Sequence, residues 1–230
     1  MDRHVRTVEE LLDLLDGLFE RDAGEARWDR FYADRARPVP FFAAKPDENL
    51  VARLPDLPRG RALDLGCGPG RNAVHLARAG FEVDAVDLSP SAVDWARERA
   101  HEAGADVRFH VGDVFTATPD GPYDLVYDSG LFHHLPPHRR ISYLALLDRV
   151  LAPGGHFGLV AFAAGEMGSQ RPDADLYRTP ALDGGLAYTA ESLRVVFADF
   201  EEVELRRMND EPADSPHYGE PFLWTALFRR

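Results

Sequence analysis

The sequence predicts an α/β fold: a doubly wound, mostly parallel sheet of seven strands that ends in an antiparallel hairpin and is preceded by a helical cap. Three features carry this expectation. Between residues 61 and 162, short apolar runs of strand length alternate with segments of helical period. A glycine-rich turn, Gly66-Cys67-Gly68-Pro69-Gly70, joins the first of those runs to the first helix. Two more apolar runs near the C-terminus can pair as a closing hairpin. With 230 residues the chain has length for one large domain with a modest addition. We place the cap and lid at residues 1–58 and the sheet domain at 59–230.

Taken in order, Val5, Val8, Leu11, Leu12, Leu15, Leu18 and Phe19 recur at helical spacing and predict an amphipathic first helix. Trp28, Phe31 and Tyr32 share a helical face, and Pro38 and Pro40 break the segment that follows. Asp47–Leu54 reads as a short helix stopped by Pro55 and Pro58. Strands are expected at Arg61–Leu65, Phe81–Val86, Val107–Val111, Tyr123–Tyr127 and His156–Phe162. Helices fall between them: Arg71–Arg78 ends at Gly80, and Ser89 caps a helix that has Pro90 at its first position. Ile141, Leu144, Ala145 and Leu151 line another, stopped by Pro153-Gly154-Gly155. Thr189 opens the last helix, and Val203–Met208 with Phe222–Phe228 form the closing pair.

Charge and cysteine content remove several classes of function. The net charge is −13, from 39 acidic and 26 basic residues, a field that repels nucleic-acid backbones and anionic membranes. Cys67 is the single cysteine, so neither an internal disulfide nor a multi-cysteine zinc site can form. No apolar run reaches membrane-spanning length, and Met1 to Glu10 is charged rather than leader-like. A cytoplasmic protein with a small-molecule partner is the expectation; monomer and homodimer stay open.

The glycine turn sits where a backbone passes close to a ligand, and helix N–H groups follow it. A phosphate loop requires Gly-Lys-Ser/Thr, and no lysine is present here. The dinucleotide pattern G-x-G-x-x-G places Arg71 where a small residue belongs. What fits is a nucleoside joined to a small amino acid. Asp64 precedes the turn, Asp87 ends the second strand where a carboxylate can accept from two ribose hydroxyls, and Gly112-Asp113-Val114 ends the third, within reach of an adenine amine. Asp84, in the same strand as Asp87, reads as a solvated or edge residue.

Leu63–Gly70, Val86-Asp87-Leu88-Ser89, Gly112-Asp113 and Tyr123-Asp124-Leu125-Val126-Tyr127-Asp128 resemble the successive motifs of class I S-adenosylmethionine-dependent methyltransferases, in register from about Arg61 to Phe162. The resemblance implies a Rossmann-like sheet with S-adenosylmethionine as methyl donor and S-adenosylhomocysteine as product. It places Asp64 near the methionine amino group and Gly66, Cys67, Gly68 and Gly70 beneath the methionyl and ribose parts, with Arg71 and Asn72 opening the adjacent helix. Asp87 and Leu88 then meet the ribose, Asp113 and Val114 the adenine, and Asp128 and Ser129 begin the loop beside the transferable methyl.

That loop carries His133 and His134, candidates for a base or for orienting the acceptor, since histidine titrates near neutrality. His138 would complete a histidine trio, but no carboxylate stands at ligand spacing, and we expect no metal. Trp28-Asp29-Arg30-Phe31-Tyr32 resembles the N-terminal segment of thiopurine- and tellurite-resistance-like methyltransferases, which puts Trp28 and Tyr32 against the cofactor. Arg35 and Arg37 can attract an anionic acceptor, and the long segment from Ala163 to Tyr188 is a candidate lid, with Glu166, Met167 and Tyr177 as candidate acceptor-pocket residues. Transfer by in-line displacement to an O, N, S or C atom of a small molecule is the expected activity. A non-catalytic cofactor-binding scaffold and an NAD(P)-dependent oxidoreductase are the alternatives.

Overall fold

The computed structural model describes residues 5–19 and 24–230. Five parallel strands, β1 (Arg61–Leu65), β2 (Glu82–Asp87), β3 (Val107–Val111), β4 (Tyr123–Ser129) and β5 (Leu151–Phe162), join antiparallel β6 (Glu201–Arg207) and β7 (Leu223–Arg229) in the order β3-β2-β1-β4-β5-β7-β6. The chain winds outward from β1 to β3 and then returns to the other side of β1 at β4, in register Ala62↔Leu125 to Leu65↔Asp128. That reversal opens a crevice at the carboxyl ends of β1 and β4, where α/β sheets bind ligands.

Strand alternation divides the core in two. Leu63, Leu65, Val126, Phe157 and Leu159 pack on one face with helices α7 (Arg139–Val150) and α9 (Ala190–Val196). Ala62, Val83, Ala85, Leu125 and Tyr127 pack on the other with α3 (Glu48–Arg53) and α4 (Arg71–Arg78). Helix α5 (Pro90–Ala103) begins as its sequence signals: Ser89 Oγ accepts from Ala92 N–H at 3.1 Å, Pro90 takes the first position, and Gly104 ends it in the left-handed region at φ 60°. Thr189 and Ser192 form a reciprocal capping box on α9.

Several expectations need correction. The first helix, α1 (Val8–Asp16), buries only Leu12, with Phe19 buried just beyond it, while Val8 and Leu14 are 65% and 61% exposed. Arg139 at the start of α7 attaches it instead, bonding Glu9 (3.0 Å), Asp13 (2.7 Å) and Asp16 (2.9 and 2.5 Å). Pro153-Gly154-Gly155 does not separate helix from strand: β5 begins at Leu151 and absorbs these residues as an irregularity in its pairing with β4.

Asp84 is neither solvated nor at an edge, being 2% exposed. It accepts from Arg108 (2.9 and 2.8 Å), Tyr123 (3.0 Å) and Arg61 (3.3 Å), and pairs with His110 Nε2 at 3.1 Å. Burial pushes its carboxyl up, but the Arg108, His110 and Tyr123 hydrogen bonds prevail and hold it well below the usual carboxylate range.

Five short elements were not anticipated: 3-10 turns at Pro40–Phe42, Leu54–Asp56 and Phe132–His134, helix α6 (Val114–Ala117), and α8 (Asp173–Arg178) inside the insert after β5. The first aromatic segment forms α2 (Glu25–Ala33), which packs on α5. No helix among the described residues is long and apolar enough to cross a membrane.

Candidate active site

A cavity of about 770 Å³ occupies the crevice, within the range of small-molecule sites. Its floor is the glycine turn. Gly66 and Gly70 adopt φ 64° and 76°, and a Cβ on either would lie 2.7 Å from Leu131 Cβ or 2.8 Å from Ala96 Cβ. The turn therefore demands glycine both for its backbone and for its packing. Gly68 directs its N–H to Asp87 Oδ2 at 2.8 Å, and Ser89 N–H meets Asp87 Oδ1 at 2.9 Å. Burial raises the Asp87 carboxyl to about 6 against the pull of those two donors.

Asp64 is 1% exposed and its Oδ2 has no hydrogen-bond partner. Burial pushes this carboxyl well up; Arg71 opposes the shift, while Asp47 and Asp128 add to it. An unpartnered buried carboxylate oxygen costs free energy until a cation or donor meets it. A ligand ammonium is such a group.

Arg71 is itself buried and held on all sides. It donates to Lys45 O (3.1 Å) and Ser129 Oγ (2.9 Å), pairs with Asp47 Oδ1, and lies 4.4 Å from the Tyr218 ring centroid. Asp47 also accepts from Asn72 Nδ2 (2.9 Å) and Tyr127 Oη (2.8 Å), and its N–H donates to Asn72 Oδ1 (3.0 Å). Although it precedes α3, the Asp47 side chain makes no capping bond; it neutralises Arg71 instead. No local pattern signals this role, because Asp47 and Arg71 lie 24 positions apart. Tyr218 was likewise missed, and its backbone bridges to Asp47.

Trp28, Phe41, Phe162, Phe222 and Met167 give the same cavity its apolar lining. Trp28 meets the His134 ring edge-on at 4.7 Å, and Phe162 stacks on His133 at 3.7 Å. His133 Nδ1 accepts from Phe162 N–H at 3.3 Å, and its Nε2 lies 3.1 Å from His134 Nε2. Burial pushes His133 well down, and burial with Arg27 takes His134 to about 3.

A methyltransferase-domain family model matches residues 62–155. Over 233 aligned residues the chain is 30% identical to 27-O-demethylrifamycin SV methyltransferase of Amycolatopsis mediterranei, covering 95% of this chain and 78% of that protein. The chain belongs to the S-adenosylmethionine-dependent methyltransferases. It is also 30% identical over 158 residues to 2-heptyl-1-hydroxyquinolin-4(1H)-one methyltransferase of Mycobacteroides abscessus, a match spanning 67% of this chain and 66%, just under two thirds, of that relative. The crystal structure of Burkholderia thailandensis 1,6-didemethyltoxoflavin-N1-methyltransferase with bound S-adenosylhomocysteine shares the fold: TM-score 0.60 at 23% identity, over 100% of this chain and 93% of that one.

For a methyltransferase of this family the cofactor is S-adenosylmethionine, and the cavity has the donors and acceptors to fit it: the orphaned Asp64 oxygen, the glycine cradle, Asp87 and Asp113. Trp28, Tyr32, Asp64, Gly66, Cys67 and Gly68 line it, as do Arg71, Asn72, Asp87, Leu88, Asp113, Val114, Ser129, His133 and His134. Gly70 and Asp128 are absent from its wall. Gly70 turns toward Ala96, and Asp128, on the opposite face of β4 from Tyr127, accepts from Tyr143 Oη (2.6 Å) and the N–H groups of Leu131 (2.8 Å) and Phe132 (3.0 Å).

Arg35 is bound to Glu98 and Arg37 to Asp34, and neither reaches the cavity. Of the insert residues, Met167 lines it, whereas Glu166 pairs with Arg207 and Tyr177 bonds His138. His138 stands apart from the other two histidines, between Asp16 and Tyr177. Among the described residues, no group of three or more His, Cys, Asp or Glu is arranged to hold a metal ion.

Proposed function

We propose that this protein transfers the methyl group of S-adenosylmethionine to a small, largely apolar acceptor bound in the same cavity. One observation carries this: a single cavity joins the carboxylate row of Asp64, Asp87 and Asp113 at the strand ends to the apolar wall of Trp28, Phe162 and Phe222. The first half offers groups for an amino acid and a nucleoside. The second offers shape and apolar surface for a different molecule.

In this assignment Asp64 receives the ammonium of the methionyl part, which supplies the partner its Oδ2 lacks. Asp87 keeps one bond to each backbone donor and uses its remaining lone pairs for the ribose hydroxyls. Asp113, whose Oδ1 caps α6 through Phe115 N–H at 2.8 Å, meets the adenine amine, and Val114 packs on the ring. The cofactor supplies an electrophilic methyl on a sulfonium, so the protein has mainly to align donor and acceptor and to exclude water. Trp28 and Tyr32 close the cavity from α2; a Cβ on Gly68 would lie 3.0 Å from Tyr32 Oη.

Relatives named for a hydroxyquinolinone and a demethylrifamycin agree with a small-molecule acceptor. The test is release of S-adenosylhomocysteine from the purified protein, with and without a panel of small phenols, carboxylates, amines and thiols. Acceptor-dependent release is expected. Tight cofactor binding with no release across the panel would instead assign a non-catalytic binding role.

A further inference from the structure

The two histidines beside the apolar wall have hydrogen-bonding states that their neighbours determine. Phe162 N–H is a backbone amide and can only donate, so His133 Nδ1, 3.3 Å away, must be the unprotonated nitrogen. A neutral imidazole with an accepting Nδ1 carries its proton on Nε2. That proton points to His134 Nε2 at 3.1 Å, which must in turn accept. His134 therefore carries its own proton on Nδ1. Adding a proton to His134 Nε2 would set two N–H groups against each other.

The surroundings keep this arrangement neutral. Phe162 stacks on His133 and Trp28 stands against His134, both apolar faces. The charged group that acts on His134 is Arg27 on α2, a cation that opposes a second positive charge. Gly185 of the insert closes over the pair, and a Cβ there would lie 3.1 Å from His134 Nδ1 and 3.2 Å from His133 Cδ2. Of the acids lining the cavity, Asp13 and Asp16 are tied to Arg139, Asp64 and Asp87 sit at the glycine turn, and Asp113 caps α6. Glu25, in the first turn of α2, is exposed.

We propose that His133 and His134 form a tautomer-locked pair that orients the acceptor but cannot take its proton, and that the site therefore selects acceptors already nucleophilic at neutral pH. Suitable acceptors are carboxylates, acidic phenols or enols, thiolates and uncharged nitrogen bases; unactivated alcohols are excluded. This rests on the methyl-transfer assignment above. In the step, the acceptor's lone pair forms the bond to the methyl carbon while the carbon–sulfur bond breaks and its electron pair returns to sulfur. An anionic acceptor thereby becomes neutral, the sulfonium becomes a thioether, and no proton passes to the protein.

The lock is read first without any acceptor, by long-range ¹H–¹⁵N NMR of protein labelled at histidine, with signals assigned through His133→Gln and His134→Gln. The expected spectrum shows His133 as the Nε2–H tautomer and His134 as the Nδ1–H tautomer, unchanged between pH 5 and pH 9. Either ring titrating in that window, or showing the other tautomer, overturns the proposal. Turnover supplies a second readout. With phenols of graded acidity, the rise of kcat/KM with pH should follow each phenol's own pKa. An inflection fixed at one pH for all phenols, and lost in His134→Gln, would also overturn it. If no acceptor is methylated while the tautomers are as expected, the failure lies with the methyl-transfer assignment and not with the lock.

Discussion

Gly68 N–H lies 2.8 Å from Asp87 Oδ2, so the glycine turn after the first strand and the carboxylate at the end of the second are one unit. A change at Asp87 should therefore act on ligand and loop together. Asp87→Ala is expected to weaken S-adenosylhomocysteine binding by about 1.5–3 kcal/mol through the loss of charge-assisted hydrogen bonds. Titration calorimetry measures this directly, and unchanged affinity would mean that the ribose lies elsewhere.

Asp87 also predicts how binding depends on pH. Burial raises its carboxyl to about 6 from an ordinary value near 3.8. The folded, ligand-free protein then binds a proton between those values that the unfolded chain has released. This contribution to stability is complete below about pH 4 and is lost as pH rises through 6. Under the proposed assignment ligand affinity has the opposite sign, because the ribose hydroxyls would bond the ionised carboxylate. Affinity should fall about tenfold from pH 7 to pH 5, and Asp87→Asn should flatten that slope. A slope that survives in Asp87→Asn points to another group, with Asp64, which lines the cavity and which burial also pushes well up, the first to examine.

Asp47 holds no position at the strand ends, yet its removal should be costly. Asp47→Ala leaves the buried Arg71 guanidinium without its carboxylate, a change of the kind that costs about 3–5 kcal/mol. Urea unfolding at constant slope would show it. Arg71→Met with Asp47→Leu, removing both charges, should recover much of the loss; if it does not, the pair is not what stabilises this corner.

Two glycines separate backbone strain from packing. Gly70 and Gly80 both have positive φ, 76° and 93°, but a Cβ on Gly70 meets Ala96 at 2.8 Å while one on Gly80 meets nothing within 4 Å. Gly80→Ala should cost about 1 kcal/mol, and Gly70→Ala about 1–3 kcal/mol more. Equal losses would show that helix α5 yields without penalty.

Arg139 joins α1 to the body through Glu9, Asp13 and Asp16. In Arg139→Met, amide exchange over residues 8–16 should accelerate while exchange in β1 and β4 stays constant. High salt should have a weaker effect in the same direction on the native protein, since two of the three acids are largely exposed.

The sheet was readable because each parallel strand is a short apolar run beside a helix start or stop, and the row Asp64, Asp87 and Asp113 because ligands gather where those runs end. What escaped depends on neighbours distant in sequence. Asp84 resembles a surface acid until Arg108 on the adjacent strand and Tyr123 are placed beside it. Asp128 ends its strand as a ligand residue should, but the two-residue alternation of β4 turns it toward Tyr143 and leaves Ser129 for Arg71. The histidine pair was legible as a place, whereas its proton positions needed the Phe162 amide.

The insert from Ala163 to Tyr188 pairs with the sheet body through Ala163 N–H to Phe222 O (3.0 Å), Tyr188 N–H to Phe162 O (2.9 Å) and Leu186 N–H to His133 O (2.6 Å), and it buries Leu176, Leu182, Leu186 and Tyr188 in the core. Those four side chains fix its seat, whereas Met167, which lines the cavity, is 44% exposed. The apolar side of the cavity can therefore be reshaped at Met167 while the carboxylate row stays untouched at its strand ends. Such a scaffold lets one methyl donor serve many chemistries through drift at a loop position that the core does not constrain, which makes Met167 the natural place to begin a library for altered acceptor choice.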